Sequence, residues 1–284
     1  MSRPSRPQFV SDAILVDEIG IETGVYGGYR LKSSYQPIFA PRGGVLFPLA
    51  GGGVISPAGI ARPIPPALFF GEVPPEDVLF IESMCRALHL RNHHNIGIDN
   101  LQLFFNYDPW ANCDLVKSLG EIAFMVRRLA EIDLDPRLLV CEITEAAVQD
   151  IGVLVELAAE MRSYGIRIAI DDFGAGHSTL ERVDALRPEI VKLDGGWVRN
   201  LVADRSTKRL FAAAVSGFRA AGAQVLVEGI ETSLHLDAAL EVGADLLQGY
   251  LLGGPALAGT IFDRSPRPVA DLLAVGRKVI PLFG

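Results

Sequence analysis

The residues of this chain best suited to chemistry stand at the ends of short apolar runs. Residues 166–180 read I-R-I-A-I-D-D-F-G-A-G-H-S-T-L, a mostly β-branched run that stops on Asp171 and Asp172 before a glycine-rich turn and a helical pattern. Four other runs stop on a polar group: 101–106 on Asn106, 138–142 on Glu142, 189–192 on Lys192 and 223–228 on Glu228. Glu145 and Glu231 follow three residues after two of the glutamates. Carboxylates at the end of a buried strand are costly unless something cationic joins them. This set offers oxygen donors without histidine or cysteine, and Mg²⁺ or Mn²⁺ suits it better than zinc. Adjacent carboxylates such as Asp171 and Asp172 can be shared by two ions, the arrangement that serves in-line displacement at phosphorus. Lys192 can orient an attacking water or neutralise developing charge. The plainer alternative is that the aspartates only cap the next helix while Gly174 and Gly176 turn the chain. The recurrence of polar ends on several runs weighs against it.

Elements that could gather these groups follow from the pattern. Strands are expected at 31–39, 101–106, 138–144, 166–171, 190–194, 224–228 and within 244–252. Between them, helical patterns run over about 75–91, 114–131, up to 164, 178–186, 206–221 and 233–241, with a last helix at 268–278. Strands alternating with helices of this length imply βαβ units and a parallel sheet. In an α/β barrel of parallel strands the carboxyl ends share one face, where reactive groups belong. Residues 1–30 form a lead-in with a weak apolar pattern, and 31–284 a single barrel domain. Within it, eight prolines and seven glycines over 40–75 make that stretch a hairpin or irregular cover, and 268–284 holds the closing helix. His89, His93 and His94 fall at or after the end of the first long helix, where solvated or dipole-facing histidines are expected.

Composition narrows the classes. With 284 residues, 49% of them hydrophobic, the chain can bury one large barrel. A net charge of −8 excludes a basic face for a nucleic-acid polymer. Cys85, Cys113 and Cys141 are too few and too unpatterned for a disulfide framework or a zinc site, and Cys141 reads as a buried thiol. The longest uncharged stretch, 45–61, is broken by glycine and proline and cannot span a membrane. No signal-peptide core follows the amino terminus. A cytoplasmic protein is expected.

The strings Y-Q-P-I-F (35–39), F-N (105–106), C-E-I-T-E (141–145), D-D-F-G-A-G-H-S-T-L (171–180), V-K-L-D (191–194), V-E-G-I-E-T (227–232) and Q-G-Y (248–250) resemble the EAL domain family in order and spacing. That family comprises bacterial phosphodiesterases of the second messenger cyclic di-GMP. The resemblance implies a modified (β/α)₈ TIM-type barrel with one antiparallel strand, dimeric through the Asp-Asp-Phe-Gly loop and the helix after it. It places Asn106, Glu142, Asp171 and Asp172 at metal-ligand positions, with Lys192 and Glu228 positioning or activating water. Glu145 matches the glutamate that braces the Asp-Asp-Phe-Gly loop, Glu231 a supporting carboxylate, and Gln248 a nucleotide contact.

One family motif is absent. The Glu-Ala-Leu sequence that names the family supplies a metal-binding glutamate on the second strand and, four residues on, an arginine that contacts the nucleotide. Here those positions fall on Gly52 and Ser56. No shift of register restores the carboxylate, because residues 37–71 contain neither Asp nor Glu. The glycines 51–53 also raise the expectation of left-handed backbone there. The expectation is therefore a stand-alone EAL-type domain that is catalytically impaired and works as a regulatory or interaction module. Its Mg²⁺ or Mn²⁺ site is weakened, cyclic di-GMP is a weak ligand, and a protein partner and a second copy of the chain are its associates. The alternatives are an active phosphodiesterase in which another carboxylate reaches in, Glu72 being the nearest downstream, and a receptor that binds the nucleotide without hydrolysing it.

Overall fold

The structure is a computed structural model that describes residues 7–59, 62–98, 100–107, 114–143, 150–175, 180–203 and 205–274. Eight strands close into a barrel: β1 (Tyr29–Arg42), β2 (Val45–Ala58), β3 (Gln102–Asn106), β4 (Leu139–Ile143), β5 (Arg167–Phe173), β6 (Ile190–Leu193), β7 (Gln224–Val227) and β8 (Leu246–Gln248). From β2 to β8 neighbours pair in parallel, whereas β1 lies antiparallel to both β2 and β8 and closes the ring. The fold is thus a modified (β/α)₈ barrel with one antiparallel strand. The β1–β2 hairpin turns at Gly43 and Gly44, whose φ of 56° and 78° are the two positive values that a two-residue turn matched to strand twist requires.

Helices α1 (Pro66–Glu72), α2 (Val78–Arg91), α3 (Leu115–Glu131), α4 (Ile151–Ser163), α5 (Leu180–Leu186), α6 (Gly195–Val202), α7 (Arg205–Ala220), α8 (Ser233–Glu241) and α9 (Val269–Ala274) accompany the strands. Asp114, Asp150, Asp194 and Thr232 cap α3, α4, α6 and α8 by accepting backbone N–H groups of the first turn. Helix α6 is absent from the sequence expectation, since Gly195 and Gly196 depress helix propensity at its start. Packing explains the glycine, because a Cβ on Gly195 would come 2.8 Å from the Cα of Gly229 in the next strand's exit loop. Of the closing helix expected at 268–278, residues 275–278 lie outside the described residues, as does Cys113.

The strand side chains alternate between inside and outside through the layer that fills the barrel. Ile38, Ala50, Phe104, Val140, Ala169, Ile190, Leu226 and Leu246, one from each strand, form an apolar plug inside the barrel. Their neighbours, such as Leu103, Phe105, Cys141, Ile170, Val191 and Val227, face outward into the core shared with the helices. Period-two alternation with both faces buried explains why these runs are apolar throughout.

The amino-terminal stretch is built onto the barrel. Residues Glu22–Tyr26 pair antiparallel with β1, and Ile14–Val16 pair with them. The outer halves of β1 and β2 continue beyond the barrel, and Leu31 and Ile55 pack there with Phe69, Ile81, Met84 and Leu88. Buried Asn92 holds this extension by exchanging hydrogen bonds of 2.8 and 2.9 Å with the backbone of Glu22. Two of the histidines expected in solvent are buried. His89 meets the Ser33 hydroxyl at 3.1 Å and burial lowers its pKa to about 4, while the His93 ring meets the Leu101 carbonyl at 2.9 Å. His94 is exposed. The helix ends at Arg91 as expected, but the amino-terminal extension and β1 cover its end, so His89 and His93 meet protein groups instead of water.

The inside-outside alternation has a measurable consequence. Phe104→Ala, inside the plug, is expected to lose about 3–5 kcal/mol in urea unfolding. Leu210→Ala, 55% exposed on α7, is expected to stay within about 0.5 kcal/mol of the parent.

Candidate metal-binding mouth

Two residues beyond each member of the apolar plug, toward the carboxyl ends of the parallel strands, stands a second ring: Gly52, Asn106, Glu142, Asp171, Lys192, Glu228 and Gln248. On β1, which runs the other way, the equivalent step leads back from Ile38 to Gln36. The same alternation that aims the plug inward aims these side chains into the barrel mouth. Gln36 lies within the Y-Q-P-I-F string but has no strand-end signal of its own. In an antiparallel strand the mouth residue precedes the plug residue instead of following it.

Lys192 is the hub. Its Nζ lies 2.5 Å from Glu142 Oε1, 2.7 Å from Asp171 Oδ1 and 2.8 Å from Glu228 Oε1. Glu142, Asp171 and Lys192 are all buried. Burial acts against the charge on Lys192, but Asp171, Glu142 and Glu228 together outweigh it and raise its pKa well above the ordinary value. For the glutamates burial wins: Glu142 is pushed up to about 8 and Glu228 to about 7, with Lys192 pulling the other way. One ammonium does not balance the carboxylates gathered here.

Asp172 joins them through a break in strand geometry. Consecutive strand residues normally face opposite ways. In β5 the register shifts between Ile170 and Phe173, Asp172 takes φ 53°, and its N–H donates to Asp171 Oδ1 at 2.9 Å. Carboxylate oxygens of Asp171, Asp172 and Glu228 consequently lie within 4.8 Å of one another. Gly174 completes the turn at φ 103°, and any Cβ there would strike Trp197 at 2.5 Å. Three hard oxygen donors in one place fit Mg²⁺ or Mn²⁺. Glu142 is tied to the group by Lys192, and Asn106 stands at the exposed end of β3, in register beside Glu142.

The other side of the mouth is neutral. Gln248 is buried, with Nε2 3.5 Å from Gln36 Oε1, and Gln36 donates to the Gly253 carbonyl at 3.1 Å. Gly52 faces this pair: a Cβ there would lie 2.8 Å from Gln248 Nε2, the movable end of a side chain. None of the glycines 51–53 has positive φ, contrary to the expectation, so backbone conformation does not bar a side chain at Gly52, whereas a Cβ at Gly53 would crowd His89 at 3.0 Å. Ser56 hydrogen-bonds through Oγ to Ser34 at 2.6 Å on the hairpin beyond the ring. Glu231 is exposed, 3.5 Å from Arg199, outside the cluster. Glu145 and His177 lie outside the described residues. Glu72 accepts a hydrogen bond from the Tyr29 hydroxyl. Tyr29 stands seven residues before Gln36, roughly 23 Å along an extended strand.

With this geometry in view, a family model described as EAL domain matches residues 29–255. The cyclic di-GMP phosphodiesterase RocR of Pseudomonas aeruginosa is 28% identical over 252 residues, covering 83% of this chain and 59% of that protein. The bifunctional diguanylate cyclase/cyclic di-GMP phosphodiesterase MucR of the same organism is 32% identical over 176 residues, 62% of this chain and 25% of that one. The chain therefore spans less than two thirds of either relative. Among solved structures, the Bacillus subtilis YkuI protein with an EAL domain, in complex with substrate c-di-GMP and calcium, aligns with a TM-score of 0.70 at 25% identity, over 82% of this chain and 57% of that one. A manganese/cy-diGMP complex of Klebsiella pneumoniae BlrP1 aligns at 0.69 and 24% identity, over 81% and 57%, a likeness of fold.

Two outcomes test the cluster. Without divalent ions the folded protein keeps protons on Glu142 and Glu228 that the unfolded chain releases near 4.5, so folding binds protons and stability falls as pH rises from about 4.5 toward about 8. Melting curves in EDTA should show this decline, and added Mn²⁺ should reverse it most at the alkaline end. Lys192→Met should destabilise the metal-free protein by about 3–5 kcal/mol, the usual result of removing one partner from a buried charge cluster, as read by urea unfolding.

Proposed function

The chain belongs to the EAL domain family, and from that premise we propose that it serves cyclic di-GMP signalling as a domain that retains the family's mouth with hydrolysis impaired, acting as a regulatory or interaction module. The observation that carries this reading is Gly52: one strand of the ring brings no side chain, and β2 brings no carboxylate anywhere along its length. Asp171, Asp172, Glu142 and Asn106 would hold a divalent ion, with Lys192 and Glu228 governing a proton or water beside it. Glu228 stands with the aspartate pair and can serve the ion directly. Glu145 and Glu231 are proposed as supporting carboxylates and Gln248 as a nucleotide contact. Bound there, such an ion would supply the positive charge that lets a phosphodiester enter an acidic mouth.

Two losses fall on the same ligand. Without a carboxylate at Gly52 the ion has one anionic donor fewer, and water is a weaker replacement. Without an arginine at Ser56 a charge-assisted hydrogen bond to phosphate is gone, about 1.5–3 kcal/mol or roughly ten- to a hundred-fold in affinity. The reading of a fully active enzyme needs a substitute carboxylate, and Glu72 is engaged with Tyr29 at the far end of the hairpin. The retained ring supports weak nucleotide binding without turnover. A protein partner and a homodimer through the segment after Asp172 complete the proposal, and exposed Leu180 at the start of α5 suits such a contact. A cytoplasmic location is proposed; among the described residues no helix is long and apolar enough to cross a membrane.

Purified protein in millimolar Mn²⁺ should hydrolyse cyclic di-GMP well below about 1 s⁻¹, an ordinary enzymatic rate. Gly52→Glu should tighten Mn²⁺ binding while nucleotide affinity stays low, and the pair Gly52→Glu with Ser56→Arg should restore turnover beyond the sum of the single changes. Ordinary turnover by the parent chain would refute the impaired reading.

A further inference from the structure

A groove of about 650 Å³ runs between the turn Val10–Ala13, α2 and α3, on the outside of the barrel. Its volume is that of a small-molecule site, for which about 300–1,000 Å³ is usual. Phe80, Leu90, Ile122 and Leu129 make an apolar floor, and Phe124, 57% exposed, stands on its rim.

Arg86, Arg91 and Arg128 also line it. Arg91 is neutralised by Glu22 at 2.7 Å and Arg128 by Glu131. Arg86 has no carboxylate partner among the described residues. Its guanidinium lies 4.8 Å from the centroid of the Tyr107 ring and reaches only the Ser83 hydroxyl, at 3.4 Å. In a chain of net charge −8, an arginine with no acidic partner among the described residues, beside an apolar groove, favours an anionic group on the occupant. Guanidinium groups pair with carboxylates through a planar fork of donors. Glu121, which shares the lining, opposes a second negative charge.

We propose that this groove is a binding site for an amphipathic monocarboxylate, with its carboxylate on Arg86 and its apolar body along α2 and α3. The site is separate from the mouth but adjoins it in sequence. Tyr107 follows Asn106, and its N–H donates to the Glu142 carbonyl at 2.9 Å, so an occupant touching Tyr107 reaches a residue joined to two members of the ring.

The test is calorimetric titration of the full chain with decanoate below its micellar concentration. One-to-one binding is expected, at least tenfold weaker for Arg86→Gln and for 1-decanol on the parent chain, and lost in Ala87→Trp, which fills the groove. A photoreactive decanoate on the parent chain should label peptides of α2 and α3, a readout that holds even where a variant fails to fold. Absence of binding, equal affinity for decanoate and decanol, or labelling confined to other elements would overturn the proposal. So would a change of sedimentation mass in Ala87→Trp, since the groove would then be an interface between copies of the chain.

Discussion

The structure depends on one ammonium shared by three carboxylates inside a barrel. Lys192 touches Glu142, Asp171 and Glu228 at 2.5–2.8 Å, directly above a layer made of Ile38, Ala50, Phe104, Val140, Ala169, Ile190, Leu226 and Leu246. Buried charges of this kind are tolerable only where partners converge on them. A slip of one residue in any strand would turn its charged group into the outer core and an apolar residue into the mouth. The strand registers, the helix caps that follow several strands and the bulge at Asp172 all keep those groups at one level. The glycines at 174 and 195 let the connecting backbone pass close enough to allow it.

The mouth is divided by charge. Strands β4 to β7 supply carboxylates and the lysine, whereas β8, β1 and β2 supply Gln248, Gln36 and no side chain at Gly52. An excess of carboxylate over ammonium on one side leaves a standing demand for a divalent cation. The neutral side offers the amide of Gln248 but no cationic side chain at Gly52 or Gln36. The proposed separation of ion binding from efficient hydrolysis follows from this division, and it rests on β2 alone.

The convergence of the strand-end residues is largely legible in sequence because each of β3 to β7 is a short apolar run that leads into a polar residue, and both signals are local. The strands 102–106, 139–143 and 190–193 and the helices 115–131 and 233–241 stand close to the expected bounds for the same reason. What escaped depends on distant neighbours. Helix α6 begins with two glycines, and the approach of Gly229, distant in sequence, explains the first of them, Gly195. The strand at 22–26 carries little apolar pattern and is held by β1 and by Asn92 seventy residues away, and the three-residue strand at 14–16 depends on it in turn. His89 and His93 read as solvated because the extension that buries them is not visible from their own segment. Gln36 carries no local signal because strand direction, which decides the residue that faces the mouth, is not written in a single strand.

The mouth holds carboxylates in excess of its own cation, and a divalent ion is proposed to complete it. Carbon-detected NMR titration of glutamate-labelled protein tests it most directly, with Glu142→Gln and Glu228→Gln assigning the resonances. In the absence of divalent ions the two carboxyls should titrate near 8 and near 7, and saturating Mg²⁺ should abolish these alkaline steps. Titration of both near 4.5, unchanged by Mg²⁺, would contradict the account.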